Sequence, residues 1–242
     1  MPSLRGWNGG SKAFAPASLC AVCEGWGESR ICAACRARFA APRPRCERCA
    51  IEVSSGVRAC GACLTDPPPF DSTVAATTYG FPWDRVIGAF KFHGALDLTT
   101  ALVDLMAGAR TRDASTTPTL LLPVPLSRQR LRERGYNQAW ELARRLGRRV
   151  GCDTDRDLLL RIRDTPHQLT APPERRAANV RGAFAIEPRR RSELQGRSVT
   201  VVDDVMTSAA TASEIARVLR AAGAPRVDVW IVARTPRTDR AF

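Results

Sequence analysis

Lysine is nearly absent from this chain: of 37 basic residues only Lys12 and Lys91 are lysine, and the rest are arginine. With alanine abundant, the skew reads as a bias of codon composition. It sets arginine against lysine and leaves the positive excess itself unexplained. Long apolar runs are absent too. No window approaches the roughly 18 uninterrupted apolar residues of a membrane-spanning helix, so no membrane insertion is expected. Residues 1–18, MPSLRGWNGGSKAFAPAS, lack the apolar core of a secretory signal, and the expected location is the cytoplasm. Histidine is rare. His93 and His167 each stand alone, and a lone histidine packs or hydrogen-bonds more often than it catalyses, so neither is assigned a role. Repeats longer than paired cysteines are absent. After residue 63 only Cys152 remains of the cysteines, expected as a buried small hydrophobe.

What is present is a chain of 242 residues, 44% hydrophobic, with a formal net charge of +13. The length suits one large domain, or a medium domain with a small one. The charge suits a polyanionic partner, whether nucleic acid, phosphorylated metabolite or pyrophosphate; solubility alone is the competing explanation.

Eight of the nine cysteines precede Pro67-Pro68-Pro69, as four CxxC pairs: Cys20/Cys23, Cys32/Cys35, Cys46/Cys49 and Cys60/Cys63. Two residues between cysteines let both thiolates reach one metal from a tight turn, and two such pairs complete a tetrahedral four-cysteine site of the structural zinc type. Disulfides are the alternative, and a reducing cytosol argues against them. Two structural zinc ions are therefore expected. The spacing leaves open whether the first pair joins the second or the pairs interleave. The segment has too few apolar residues to fold without metal.

Beyond the prolines, apolar patterns alternate between short runs and helical periods. Strands are expected over 73–79, 119–124, 198–202 and 226–233, and helices over 83–92, 98–109, 137–150, 175–184 and 211–222. Strands separated by helices imply an α/β fold with a mainly parallel sheet, whose ligands bind outside the carboxyl ends of the strands. The strand 198–202 ends in Asp203 and Asp204. A loop of small and hydroxylated residues follows, Thr207, Ser208, Ala209, Ala210 and Thr211, and then a helix. A helix start offers backbone N–H groups to an anion. Two acids beside it would repel a bare phosphate, but they suit hydroxyls attached to one. A ribose 5-phosphate satisfies both halves. The competing explanation is an ordinary strand-to-helix turn with acids capping backbone.

This arrangement resembles the phosphoribosyl pyrophosphate motif of type I phosphoribosyltransferases. Further segments narrow the likeness. PVPLSRQRLRERGYNQAWELA (123–143), VIGAFKFHG (86–94) and RIRDTPHQLTAPPERRAANVRGAF (161–184), the last with Arg161, Thr165, Gln168, Arg176 and Asn179, resemble elements of the ComF competence-protein family, as do the cysteine pairs. The resemblance covers about residues 20–235. It implies a double zinc ribbon over 20–66, a Pro-rich linker over 67–72 and a type I phosphoribosyltransferase-like domain over 73–235, with tails at 1–19 and 236–242. It also implies a link to DNA uptake in natural transformation.

In that reading Asp203 and Asp204 are the catalytic, sugar-holding acids, Thr207–Thr211 hold the 5-phosphate, and Arg130, Arg134 and Asn137 lie on the pyrophosphate side. Mg²⁺ would arrive with the ligand. Lys91, in a chain almost without lysine, is either a compact charge kept near a phosphate or a chance survivor. One departure stands out: the family loop usually carries glycine where this chain has Ala209. The segment 128–149 holds eight arginines and two acids, and Arg144, Arg145, Arg148 and Arg149 read either as a solvated helix face or as a nucleic-acid surface. Two function classes fit. One is a phosphoribosyltransferase. The other is a non-catalytic module that binds a nucleotide or single-stranded DNA, with zinc ribbons as adapters for DNA-uptake partners.

Overall fold

The computed structural model of the chain describes residues 17–113, 118–163 and 179–236. Lys12, Thr165, His167, Gln168 and Arg176 lie outside the described residues.

The N-terminal part is small and turn-rich. Strand β1 (Ser18–Leu19), from the segment expected as a tail, pairs antiparallel with β2 (Trp26–Gly27), and helices α1 (Ala33–Phe39) and α2 (Gly61–Thr65) each follow a cysteine. The rest runs β3 (Ser72–Thr78), α3 (Trp83–Phe92), α4 (Thr99–Asp113), β4 (Leu120–Pro123), α5 (Arg128–Arg134), α6 (Gln138–Val150), β5 (Asp153–Thr154), β6 (Leu159–Arg161), β7 (Phe184–Ile186), β8 (Ser198–Met206), α7 (Ala210–Ala221) and β9 (Arg226–Arg234), with the short strands β5, β6 and β7 added to the expected elements. Five strands form one parallel sheet in the order β3-β9-β8-β4-β5. The fold expected from sequence, a parallel-sheet α/β domain with a small N-terminal four-cysteine module, is the one found.

Apolar runs rather than alternation mark the central strands, because both sheet faces are covered. Successive residues divide between two cores. Leu120, Leu122, Val199, Val201, Val227, Val229 and Ile231 join Ile215 and Leu219 of α7 on one side. Leu121, Val202, Trp230 and Val232 join Trp83, Phe90, Leu102, Leu142 and Leu146 on the other. Helix α6 buries Ala139, Leu142, Ala143 and Leu146, the face its periodicity marks. The Asn137 side chain caps it by accepting from the Ala139 N–H at 2.9 Å, and Gly151 ends it at φ +67°.

Gly147 on α6 shows packing overriding propensity. In an open helix Gly→Ala stabilises by roughly 1 kcal/mol. A Cβ here would meet Thr154 Cγ2 at 2.3 Å and the Cys152 carbonyl at 2.8 Å. Gly147→Ala is therefore expected to destabilise by about 1–3 kcal/mol, the cost of overpacking. A denaturant midpoint equal to or above the parent's would refute this.

Two expectations are corrected and one helix is added. Residues 128–134, between an expected strand and an expected helix, form α5, because Ser127 caps the first turn by accepting from the Arg130 N–H at 3.3 Å and Gly135 closes the last at φ +79°. The expected helix 175–184 does not reach its end: Gly182 turns the chain at φ +65°, and Phe184–Ile186 pair antiparallel with β6. Strand β8 does not stop at Val202. It runs to Met206, because its nine-residue partner β9 offers pairing for Asp203 at Ile231 and for Val205 at Ala233.

Candidate functional site

The cysteines resolve into two groups. Sγ atoms of Cys20, Cys23, Cys32 and Cys35 lie within 4.8 Å of one another, and so do those of Cys46, Cys49, Cys60 and Cys63. The first pair joins the second and the third joins the fourth, without interleaving. Sγ–Sγ separations are 3.8 Å for Cys23–Cys32 and 3.7 Å for Cys49–Cys60. A disulfide needs about 2.05 Å. Four sulfurs about 2.3 Å from a tetrahedral metal stand roughly 3.8 Å apart, so each donor set fits a metal ion. The backbone prepares one sulfur of each group, while burial pushes Cys35, Cys49 and Cys63 the other way. Burial opposes a thiolate at Cys20, but N–H groups of Cys32, Cys23 and Val22 pull its pKa down to about 6. Cys46 is likewise brought to about 7 against burial, by the N–H groups of Cys49, Cys60 and Arg48. The remaining cysteine, Cys152, is half-buried and donates to the Pro118 carbonyl at 3.3 Å; burial and Asp153 push its thiol up to about 11.

The acid pair lies within β8, near its carboxyl end. Adjacent strand residues point to opposite faces, and the two carboxylates have different surroundings. Asp203 and all of Thr207–Thr211 line one cavity of about 50 Å³, with apolar walls from Val124, Val201 and Ile231. Asp204, 1% exposed, meets Lys91 Nζ of α3 at 2.8 Å. The pair titrates apart. Burial, then the Asp204 charge, holds the Asp203 carboxyl well above the usual carboxylate range. At Asp204 burial pushes the same way, but the Lys91 ammonium and hydrogen bonds from Asp203 and Val205 outweigh it, and its pKa falls below the ordinary value. Lys91 keeps its proton more firmly than an ordinary lysine, since Asp204 and Asp203 outweigh its burial.

The loop itself carries strain. Ala209 caps α7 at φ +61°, ψ 0°, in the left-handed region. The expected cations divide. Lys91, Arg130 and Arg134 line a cavity of about 170 Å³ with Phe92 and Glu133. Arg134 donates to the buried Gln138 side chain and lies 5.1 Å from the Phe92 ring centroid. Asn137 lies apart from them, its side chain held by the α6 cap and the Val124 carbonyl. It lines a larger groove, about 1000 Å³, with Tyr136, Trp140, Arg128, Arg156 and Arg161. Arg144 and Arg145 both donate to Glu141, and Arg149 lies 3.6 Å from Asp104. His93 is exposed.

Sequence reasoning missed Gln138, Phe92 and Arg234. Their signal was weak: an amide after an N-cap, an aromatic beside the rare lysine, and an arginine one residue past the expected end of a strand.

No protein-family model matches the chain. It is 31% identical over 221 residues to the DNA utilization protein YhgH of Escherichia coli (strain K12), covering 90% of this chain and 96% of that one. It is 31% identical over 223 residues to competence protein F of Haemophilus influenzae, covering 89% and 96%. Competence protein ComFC of Bacillus subtilis matches 59% of the chain and 55% of its own length at 26% identity. Among solved structures, a glutamine phosphoribosylpyrophosphate amidotransferase from B. subtilis overlays 55% of this chain and 25% of its own, at 20% identity and a TM-score of 0.37. A purine phosphoribosyltransferase from Pyrococcus horikoshii overlays 70% and 96%, at 13% identity and 0.34. Those scores are too low to build on.

Proposed function

Because the chain belongs to the ComF family, we propose that the Asp203–Thr211 segment binds a phosphoribosyl ligand such as phosphoribosyl pyrophosphate, in the service of DNA utilisation in the cytoplasm. The observation that carries this is the shared cavity: one acid and the whole hydroxylated loop face the same space at the start of a 12-residue helix. Asp203 takes a ribose hydroxyl, and the loop N–H groups take the 5-phosphate. Asp204, fixed by Lys91, sets the charge beside it. Lys91, Arg130 and Arg134 form the cationic side for a diphosphate, which would bring Mg²⁺ to neutralise charge developing on it in a transfer reaction. The cavity holds no more than a water or two at its present size, so the sugar phosphate seats at its mouth or displaces the loop. Zinc in the two cysteine groups, and the division into a metal module over 20–66 and a ligand domain over 73–235, belong to the same reading.

Calorimetric titration with ribose 5-phosphate, and with phosphoribosyl pyrophosphate plus Mg²⁺, tests it. Saturable binding lost in Asp203→Asn supports the site. No binding of either ligand by the parent removes it.

Ala209 provides a second handle. Left-handed backbone costs a non-glycine residue roughly 1–2 kcal/mol, and the added freedom of glycine in the unfolded chain takes back about 0.4–1 kcal/mol. Ala209→Gly is therefore expected to stabilise by about 0.5–1 kcal/mol, a rise of roughly 1–4 °C in Tm, and to tighten phosphate binding by allowing closer approach. An unchanged or lower Tm would contradict the strain.

The groove beside α6 favours a second reading. Trp140 and Tyr136 with Arg128 and Arg156 combine aromatic faces and cations, the pairing that takes single-stranded nucleic acid. Binding of a short single-stranded DNA that falls steeply with salt and weakens in Trp140→Ala would support it. With three of the four arginines on 144–149 already beside acids, that stretch is the weaker candidate surface.

A further inference from the structure

The second cysteine group sits beside the loop. A groove of about 750 Å³ is lined by Cys49, Cys60 and Cys63 on one side and by Thr207, Ser208 and Ala209 on the other. Arg234, the last residue of β9, crosses between them. It is 7% exposed. Its Nε donates to the Cys49 carbonyl at 2.8 Å. Its Nη1 donates to the Met206 carbonyl at 2.9 Å and to the Thr207 carbonyl. One guanidinium thus holds the turn of a metal-ligating cysteine and the first residues of the loop.

The Cys49 carbonyl is a fixed acceptor only while its turn is fixed. That turn is tight: the Ala50 N–H donates to the Cys46 carbonyl at 2.8 Å, with Ala50 at φ +57° and fully buried. Two thiolates on one metal from a CxxC hold such a turn. Among the described residues, the oxygen acceptors of Arg234 are carbonyls and a Thr235 hydroxyl, and the Cys49, Cys60 and Cys63 thiols act on its charge from the second group. A buried cation with such acceptors needs charge compensation nearby, and a four-thiolate site around a divalent ion is net anionic. The first cysteine group has the same turn, Glu24 N–H to the Cys20 carbonyl at 2.9 Å with Glu24 at φ +59°. It packs instead into the core of α3 and α4, which makes it an internal control.

We propose that Arg234 is a positioning residue that couples the second four-cysteine group to the loop Thr207–Thr211, so that metal loss from that group alone loosens the loop and weakens phosphate binding there. The phosphate half rests on the phosphoribosyl reading above; the loop half does not.

The test is hydrogen–deuterium exchange over 203–213 in full-length parent, Cys63→Ser, Cys23→Ser, Arg234→Lys and Arg234→Met. Zinc content is measured on each, and protection of α6 amides checks that each remains folded. Loop amides are expected to exchange about ten-fold or more faster in Cys63→Ser and Arg234→Met, reporting local opening, and at the parent rate in Cys23→Ser. Arg234→Lys keeps the charge and loses the fork, so it should keep its zinc and still loosen the loop. Equal loop exchange in Cys63→Ser and Cys23→Ser, or a parent-like loop in Arg234→Lys, overturns the proposal. Should Arg234→Met not fold, those two comparisons still decide it. Ribose 5-phosphate titrations run alongside. Failure of the parent to bind ends the phosphoribosyl reading, while the exchange data still settle the coupling.

Discussion

Metal analysis of fresh, reduced protein is expected to return about two zinc ions per chain, and chelation of both groups together is expected to lower the unfolding midpoint of the whole described fold. Packing carries the effect beyond residues 20–66. Cys20, Ile31 and Cys35 share one core with Trp83, Phe90 and Leu102, and Trp83 Nε1 donates to the Phe39 carbonyl at 2.8 Å. On the other side Ala50 and Phe70 are buried with β8 and α7 residues, and Arg45 donates to Thr78 at 2.8 Å. Circular dichroism melts with and without chelator read the outcome. A metal-free protein that keeps the parent's midpoint would sink the prediction.

The second large effect lies at the acid pair, where two neighbouring acid-to-amide changes should move stability in opposite directions. Asp203 has a folded-state pKa raised by burial and by Asp204. Its ionised form is therefore a cost at neutral pH. That cost disappears as pH falls through the raised value and is gone below the ordinary carboxylate range. Asp203→Asn should be more stable than the parent at pH 7–8, with the two converging in acid. Asp204 has the opposite sign. Its folded-state pKa is depressed, with Lys91 opposing burial, so its contribution is present above the ordinary carboxylate range and lost as pH falls through the depressed value. Asp204→Asn leaves Lys91 without its 2.8 Å partner and should cost about 1.5–3 kcal/mol at neutral pH, the range for a charged hydrogen bond. Both variants should weaken ribose 5-phosphate binding, Asp203→Asn by about ten-fold or more through loss of a charge-assisted bond. Denaturant titrations at pH 4.5 and 7.5 separate the two. Equal destabilisation of both variants at pH 7.5 would show that the acids act as one unit rather than as opposites.

What could be read beforehand was whatever has a local cause. Helix α3 was legible to both of its ends, and α6 to within one residue of its start, because the helical period is written within a few residues, whereas the capping role of Asn137 was not read. The hydroxylated loop before α7 was legible for the same reason. The cysteine partners were not, since four identical CxxC turns carry no label for which meets which; only the fold brings 20–35 and 46–63 together as separate groups. The partner of Lys91 was hidden by sequence distance, α3 meeting β8 only across the sheet. The length of β8 depended on β9, and the role of Arg234 depended on the second cysteine turn coming to rest beside the loop. The φ of Ala209 could be posed as a question from sequence and answered only by the turn itself.

Strand β3 stands at one end of the sheet order, hydrogen-bonded to β9 alone within it. An unprotected apolar edge is a template for pairing with other chains. Here the second cysteine module stands guard: the Thr73 N–H donates to the Glu47 carbonyl at 3.0 Å, and Arg45 holds Thr78 at the far end. Removing that module would bare Ser72–Thr78, STVAATT, a β-prone stretch with no charge in it. A metal held by these cysteines would therefore govern solubility as well as shape, and oxidised or zinc-starved preparations are expected to be lost to edge-to-edge aggregation before any ligand is added.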